Sequence, residues 1–289
     1  MGQADRTNGV PPTCCTTACN PALDEVRQGR RFRFGRNWQA FLRSLTEQRI
    51  AAAQRSLAEF VGRERLDGCT LLDVGCGSGL FSLAARRLGA KVHSFDFDAD
   101  SVACALELRR RFFGDDPEWT IEQGSVLDAE YLAGLPRFDI VYAWGVLHHT
   151  GDMWRAVDLV SDRVAPGGLF WLALYNDQGW KSRFWLGVKR LWCGSIAGRA
   201  VVWATFVPAF AAAYTLASLL RRRNLFREHK DQRGMSPYRD WIDWLGGLPF
   251  EVASPEDVHE FLTDRGFALV RQRLTHRLGN NEFLFRRSG

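Results

Sequence analysis

The segment Leu71-Leu72-Asp73-Val74-Gly75-Cys76-Gly77-Ser78-Gly79 limits the fold of this chain more than any other. An apolar run that stops at glycines spaced G-x-G-x-G, with a helical pattern from Leu80, is a strand turning into a helix. Glycine lets such a turn approach a ligand where any Cβ would collide. In open α/β sheets the turn lies at the carboxyl edge, where ligands bind. Asp96 ends the next short apolar run, about twenty residues on, where an acid can accept hydrogen bonds from both hydroxyls of a ribose. The turn, its flanking elements and the spaced acid together point to an adenosine-type ligand.

The surrounding pattern repeats the alternation of strand and helix. Strands are expected at Thr70–Val74, Lys91–Phe95, Trp119–Gln123, Phe138–Ala143 and Leu169–Tyr175. Helices are expected at Leu80–Leu88, at Asp100–Phe112 starting near Ser101, and at Met153–Val164, the last closed by Pro166-Gly167-Gly168. Such alternation implies a parallel sheet with helices on both faces. Before it, Trp38, Phe41, Leu42, Leu45, Ile50, Ala53 and Leu57 mark an amphipathic helix, or two joined near Thr46. After a long insertion, Ser254-Pro255-Glu256-Asp257 opens another helix with Ser254 as its N-cap. Phe267–Leu274 and Glu282–Arg286 read as a closing pair of strands, with Asn280-Asn281-Glu282 as turn residues between them.

The kind of adenosine ligand follows from what the turn lacks. A dinucleotide fold wants glycine at the third fingerprint position, which here is Leu80, so a nicotinamide oxidoreductase is disfavoured. Asp73 instead offers negative charge to a ligand that carries an ammonium and a sulfonium. Asp73-Val-Gly-Cys-Gly-Ser-Gly79, Asp96, Gly124-Ser125-Val126-Leu127-Asp128, Phe138-Asp139-Ile140-Val141, Leu147-His148-His149 and Pro166-Gly167-Gly168 form a set. As a set they resemble the class I S-adenosylmethionine-dependent methyltransferases over about residues 66–175, closest to O-methyltransferases of the ubiquinone pathway. The resemblance implies a Rossmann-like α/β sheet of seven strands, mostly parallel, with an antiparallel closing strand and a helical insertion after the fifth strand. It implies S-adenosyl-L-methionine as cofactor, with Gly75, Cys76, Gly77 and Gly79 forming the turn around its methionine part and Asp96 holding the ribose. Ser125 and Val126 would border the adenine, Phe97 would stack on it and Trp144 would line the sulfonium side; the alternative for the last two is ordinary core aromatics.

His148 and His149 follow the fourth strand at this edge, where one could take a proton from an acceptor hydroxyl or both could shape the loop. Tyr175, Asn176, Asp177 and Gln178 end the fifth strand as substrate contacts or as a plain polar loop. Asp240 and Trp241, in Arg239-Asp240-Trp241-Ile242-Asp243-Trp244, are further substrate candidates, although Asp240 and Asp243 equally suit pairing with Arg239 or Arg233.

In the insertion, Trp180–Trp192 reads as a basic aromatic helix. Phe184, Trp185, Val188, Leu191 and Trp192 are expected on one side, and Lys181, Arg183, Lys189 and Arg190 largely on the other. Ala200–Leu220 then runs without a charge to Arg221-Arg222-Arg223. It can be read as a membrane span, as a hairpin bent at Pro208 that dips into an anionic membrane surface, or as a lid over the site.

The divisions expected are a loose tail over 1–30, N-terminal helices over 31–65 capping the cofactor site, and a methyltransferase domain over 66–289 whose insertion covers 180–250. A net charge of +5, concentrated in a few segments, gives weak support to nucleic acid as a partner. Seven cysteines without metal-like pairing suggest neither a metal nor a disulfide framework, and Cys14, Cys15 and Cys19 sit in the leader. No signal peptide is expected. The expected setting is the cytoplasm, with peripheral membrane contact, and the expected partner is a small or lipid-linked acceptor. Rival readings are a non-catalytic binding module on the same fold and transfer of a different group from the same cofactor.

Overall fold

The computed structural model describes residues 45–228 and 237–289, together with Glu25, Gln28, Trp38 and Leu42. Cys14, Cys15, Cys19, Arg233 and almost all of the expected tail lie outside the described residues, as does most of 31–44.

Seven strands form one sheet in the order β3-β2-β1-β4-β5-β7-β6. They are β1 Thr70–Val74, β2 Lys91–Asp96, β3 Trp119–Gln123, β4 Phe138–Trp144, β5 Val164–Tyr175, β6 Phe267–Arg273 and β7 Asn280–Arg287. Strands β1 to β5 pair in parallel, and β7 runs antiparallel to both β5 and β6. The two-residue period of β5 divides the core. Phe170 and Leu172 join one cluster with Leu72, Val141 and Phe285, while Leu169 and Trp171 join the opposite cluster with Leu71, Ile140 and Leu284. Against the first face lie α4 Ala129–Gly134, α5 Met153–Ser161 and α9 Pro255–Thr263; against the second lie α1 Glu47–Val61, α2 Leu80–Arg87 and α3 Ala99–Phe113. Phe60 of α1 stacks on Trp171 at 4.3 Å, which ties the helix before the sheet to its middle.

Local chemistry sets the element ends. Thr46 caps α1, so the helical pattern begins afresh there. Ser254 and Asp257 form a reciprocal capping box at α9, with Pro255 at its first position. Three expectations are corrected, and one unforeseen helix is added. Asp98 caps α3, starting it two residues before Ser101. Helix α5 ends at Ser161, because Val164 already pairs with Phe138 in β5. Asp128 caps the short α4, which was too brief to show a period. Asn280 and Asn281 are strand residues, paired with Tyr175 and Leu174, rather than turn residues.

The insertion is a helical unit with its own small core: α6 Trp180–Gly194, α7 Ile196–Arg221 and α8 Pro237–Gly246 bury Val188, Trp192, Val202, Val207, Trp241 and Leu245. Trp185 meets Phe206 and Phe210, while Arg199 lies over Trp192, so α6 and α7 run antiparallel about Ser195. The reversal is at Ser195 and not at Pro208, which sits inside a continuous 26-residue α7. Only 11% of the most apolar stretch of α7 is buried. Lys189 overturns the expected charged face, for it is 0% exposed, whereas Phe184 and Leu191 are half exposed.

Candidate active site at the carboxyl edge of the sheet

The turn after β1 is held by β2: the N–H groups of Gly75 and Cys76 both donate to the Phe95 carbonyl, at 2.9 and 3.0 Å. Gly75, Gly77 and Gly79 have φ of 68°, 53° and 78°, the left-handed region that favours glycine. A Cβ on Gly79 would lie 2.9 Å from the Ala105 backbone, and one on Gly77 would lie 3.0 Å from the Trp38 indole. The first glycine thus allows α2 to approach α3, and the second opens the loop beneath an N-terminal tryptophan.

Asp96 ends β2 beside this turn. Its two carboxylate oxygens accept from Gly77 N and Asp98 N, each at 2.9 Å. These donors fix the direction of the carboxylate. Asp73, inside β1, accepts from the Ser82 hydroxyl, which meets Ser94 at 2.7 Å; Ser94 in turn accepts from Trp119 Nε1 at 2.9 Å. Burial pushes the Asp73 carboxyl up to about 7 against the pull of Ser82, and the Asp96 charge adds to the rise. Burial also raises the Cys76 thiol well above its ordinary range, so it stays protonated. The Phe97 carbonyl accepts from Gln123 Nε2, and the Ser125 hydroxyl accepts from Leu127 N. Val126 is buried at the core edge, and Trp144 ends β4 partly exposed.

The turn and Asp96 fit an adenosyl ligand on two counts. The backbone is opened by glycines that a Cβ would crowd, and the one carboxylate at the tip of β2 is aimed by that same backbone. Asp73 itself is buried and bonded to the Ser82 hydroxyl.

At the neighbouring strand ends the two histidines differ. His148 is 0% exposed, and neither ring nitrogen makes a hydrogen bond; the Ala173 backbone exerts only a weak opposing pull. Its ring lies 4.0 Å from that of Tyr175, and burial, then His149 and Lys189, hold it well below the usual histidine range. His149 Nδ1 contacts the Pro249 carbonyl at 2.5 Å. A carbonyl only accepts, so the neutral ring carries its proton on Nδ1 and presents Nε2 as the acceptor.

Tyr175 connects this pair to the insertion through Trp244 at 5.8 Å and Phe250 at 5.2 Å. Sequence reasoning missed Trp244, Phe250 and Lys189. Lys189 follows Trp185 by four residues and precedes Trp192 by three, which is one face of a helix, so spacing carried the signal. The remaining substrate candidates are placed elsewhere. Asn176 donates to the Thr275 carbonyl and accepts from Asn281, which accepts from Thr275 N, so its amide clamps the β5–β7 end. Trp241 packs against Phe210, Tyr214 and Phe226 in the insertion's core, and Asp240 lies half-buried on the same helix. A cleft of about 750 Å³ opens between Trp192, Ile196, Trp203, Tyr238 and Ile242, and none of its lining residues belongs to the glycine turn or the histidine pair.

Known proteins resemble this chain in sequence and in fold. The family described as "Methyltransferase domain" matches residues 45–272. The ubiquinone biosynthesis O-methyltransferase of Methylobacterium sp. (strain 4-46) is 32% identical over 128 residues, 44% of this chain and 49% of that protein. The protein of the same name from Rhodopseudomonas palustris (strain TIE-1) is 32% identical over 117 residues, 40% of this chain and 44% of that one. The match therefore spans about half the length of these curated relatives. Among solved structures, magnesium protoporphyrin IX methyltransferase from Synechocystis PCC 6803, with bound S-adenosylhomocysteine, has a TM-score of 0.50 at 16% identity over 83% of both chains. The 1,6-didemethyltoxoflavin-N1-methyltransferase of Burkholderia thailandensis has the same TM-score at 14% identity, over 92% of this chain and 85% of that one. At these identities the structural likeness is one of fold.

Proposed function

The chain belongs to the class I S-adenosylmethionine-dependent methyltransferase family, and from that premise we propose that it methylates an oxygen of a small, apolar or lipid-linked acceptor. The observation that carries the reading is Asp96, whose carboxylate is fixed by Gly77 and Asp98 at the tip of β2, beside the glycine turn. S-adenosylmethionine would supply an electrophilic methyl group on a sulfonium. Asp96 would hold the ribose, Gly75, Cys76, Gly77 and Gly79 the methionine end, Ser125 and Val126 the adenine border, and Phe97 and Trp144 would flank them. Asp73, within β1, braces the turn from behind through Ser82 and Ser94.

On the acceptor side, methyl transfer is driven chiefly by placing the nucleophile in line with the methyl carbon. Tyr175, Trp244 and Phe250 form an aromatic wall suited to an apolar acceptor and exclude water from the strand ends. His149 Nε2 takes the proton of the acceptor hydroxyl, while His148, buried and neutral, wedges between His149 and Tyr175 and sets their orientation. Oxygen as the acceptor atom is also the printed chemistry of the curated relatives. An apolar or lipid-linked acceptor suits the insertion, where Val201, Leu216, Leu219 and Leu220 of α7 and Lys181, Arg183 and Arg190 of α6 are exposed. The exposed basic residues of α6 and the exposed apolar side chains of α7 together meet an anionic membrane surface, and the rest of the chain faces the cytoplasm.

Calorimetry tests the core of this reading. S-adenosylhomocysteine should bind and NAD should not, and Asp96→Ala should weaken binding by about 1.5–3 kcal/mol, the range for hydrogen bonds to a charged group. Tight NAD binding without adenosyl binding would overturn it. His149→Ala should lower turnover by about 10²–10⁴ with cofactor affinity intact; near-full turnover would reduce the ring to a structural part.

A further inference from the structure

Lys189 is the buried charge that the proposed chemistry leaves unused. Its ammonium donates to the Trp244 carbonyl in the last turn of α8. It stands over the rings of Trp244 and Phe250, at 4.2 and 4.8 Å from their centroids. Both rings contact Tyr175, which packs on His148 and His149. Lys189 Nζ and His149 Cε1 lie 3.5 and 3.6 Å from a single point, the place where a Cβ on Gly247 would stand. A side chain at Gly247 would therefore touch both the ammonium and the imidazole.

Capping α8 does not by itself account for a lysine here. Cys193, one turn further along α6, already meets the Gly246 carbonyl at 3.2 Å with a neutral thiol. Burying an ammonium costs several kcal/mol even after relaxation, and an apolar side chain would pack among these aromatic rings without that cost.

We infer that Lys189 is a positioning residue of the acceptor site, brought by the insertion to set a positive charge against the His148–His149 pair and keep both imidazoles neutral. The inference rests on the reading of His149 as proton acceptor. Among the described residues, the ionisable groups around Lys189 are Cys193 on its own helix, Asp243 on α8 and the two histidines. Tyr175 of β5 faces the histidines, and Glu251 bonds Gly151 N and Met153 N beside their turn. Burial pushes Lys189 down to about 7, with Asp243 and Cys193 opposing. Its charge therefore becomes complete as the pH falls below 7, the range in which an ordinary imidazole would take up a proton. The charge repels that proton, and His149 Nε2 remains an acceptor.

The test is histidine-ring ¹⁵N NMR across pH on the full chain, comparing wild type, Lys189→Met and Lys189→Arg, with thermal melts in parallel. Lys189→Met should raise the midpoint of His149 by about half a unit or more, as loss of a nearby like charge does. Lys189→Arg, which keeps the charge, should leave it at or below the wild-type value. Equal shifts in both variants, or none in Lys189→Met, would overturn the inference. Lysine ¹³Cε shifts in the wild type guard against a variant that fails to fold. A Lys189 midpoint near 7 supports the inference, and one near the ordinary ~10.4 overturns it. Neither measurement needs donor or acceptor, so their failure is distinct from a failure of His149→Ala to lose turnover.

Discussion

The cofactor edge and the insertion each bury an ionisable side chain that water would keep charged, and they do so in opposite senses. Asp73, in the middle of β1, is a carboxyl pushed up to about 7. Lys189, on α6, is an ammonium pushed down to about 7. Asp73 is built into a serine and tryptophan hydrogen-bond chain, as a fixed part of the sheet. Lys189 rests on one carbonyl and two aromatic faces at a junction between helices. On the proposed function, the difference separates a rigid edge that would bind the cofactor from an added wall that would shape the acceptor side.

Glycine substitutions should sharpen this contrast most. Gly79→Ala forces a left-handed φ on a residue with a Cβ and drives that atom against the Ala105 backbone. Left-handed strain costs about 1–2 kcal/mol and overpacking about 1–3, so urea denaturation should show a loss of about 2–5 kcal/mol. Gly187→Ala, on α6 with nothing within 4 Å of its Cβ, should be neutral or stabilise by up to about 1 kcal/mol. Similar losses at both positions would break the distinction between a constrained edge and a tolerant insertion.

Stability against pH divides the two regions by sign. The folded state holds the Asp73 proton that the unfolded chain releases near 3.8. This residue's stabilisation is therefore full below that value and lost as the pH rises toward 7. Lys189 gives the reverse, because above 7 the folded state has shed a proton that the unfolded chain keeps to about 10.5. Its contribution therefore rises with pH between those values. Each slope is at most about 1.4 kcal/mol per pH unit. Asp73→Asn should flatten the first window alone and Lys189→Met the second alone, measured by denaturation at stepped pH. A variant that changes both windows would show that the two sites are coupled.

How legible each region is in the sequence follows the same line. At the cofactor edge the requirements are local. Glycines must take positive φ, an acid must end β2, and strands must alternate across the sheet, so Gly75, Asp96 and the five parallel strands are readable. Helix α4 escaped because six residues are too few to display a period. Asn281 resembled a turn residue because its partners, Asn176 and Thr275, are distant or only formed by the fold. Lys189 was assigned to the solvent face by its charge, against its spacing from Trp185 and Trp192. Trp244 gained its place from Tyr175, a contact across 69 residues that no local pattern announces.

The smallest expected effect concerns the outer face of the insertion. Lys181, Arg183 and Arg190 are exposed on α6, and each should add about 1 kcal/mol of attraction near an anionic surface. Reversing these three should reduce flotation with anionic liposomes at low salt and leave adenosyl binding unchanged. Wild-type flotation should weaken with salt, with the exposed apolar side chains of α7 supplying the salt-resistant part. Absence of flotation at low salt would remove the membrane from the account, and flotation resistant to salt and carbonate would favour a spanning helix.

Hydrogen–deuterium exchange with saturating S-adenosylhomocysteine tests the division between edge and insertion most directly. Protection should appear at Gly75–Gly79, Asp96–Phe97 and Ser125–Val126, where the turn and the strand tips converge, while α7 exchanges as before. Protection confined to the cleft between Trp192 and Tyr238, with the glycine turn unchanged, would contradict the assignment of the cofactor site.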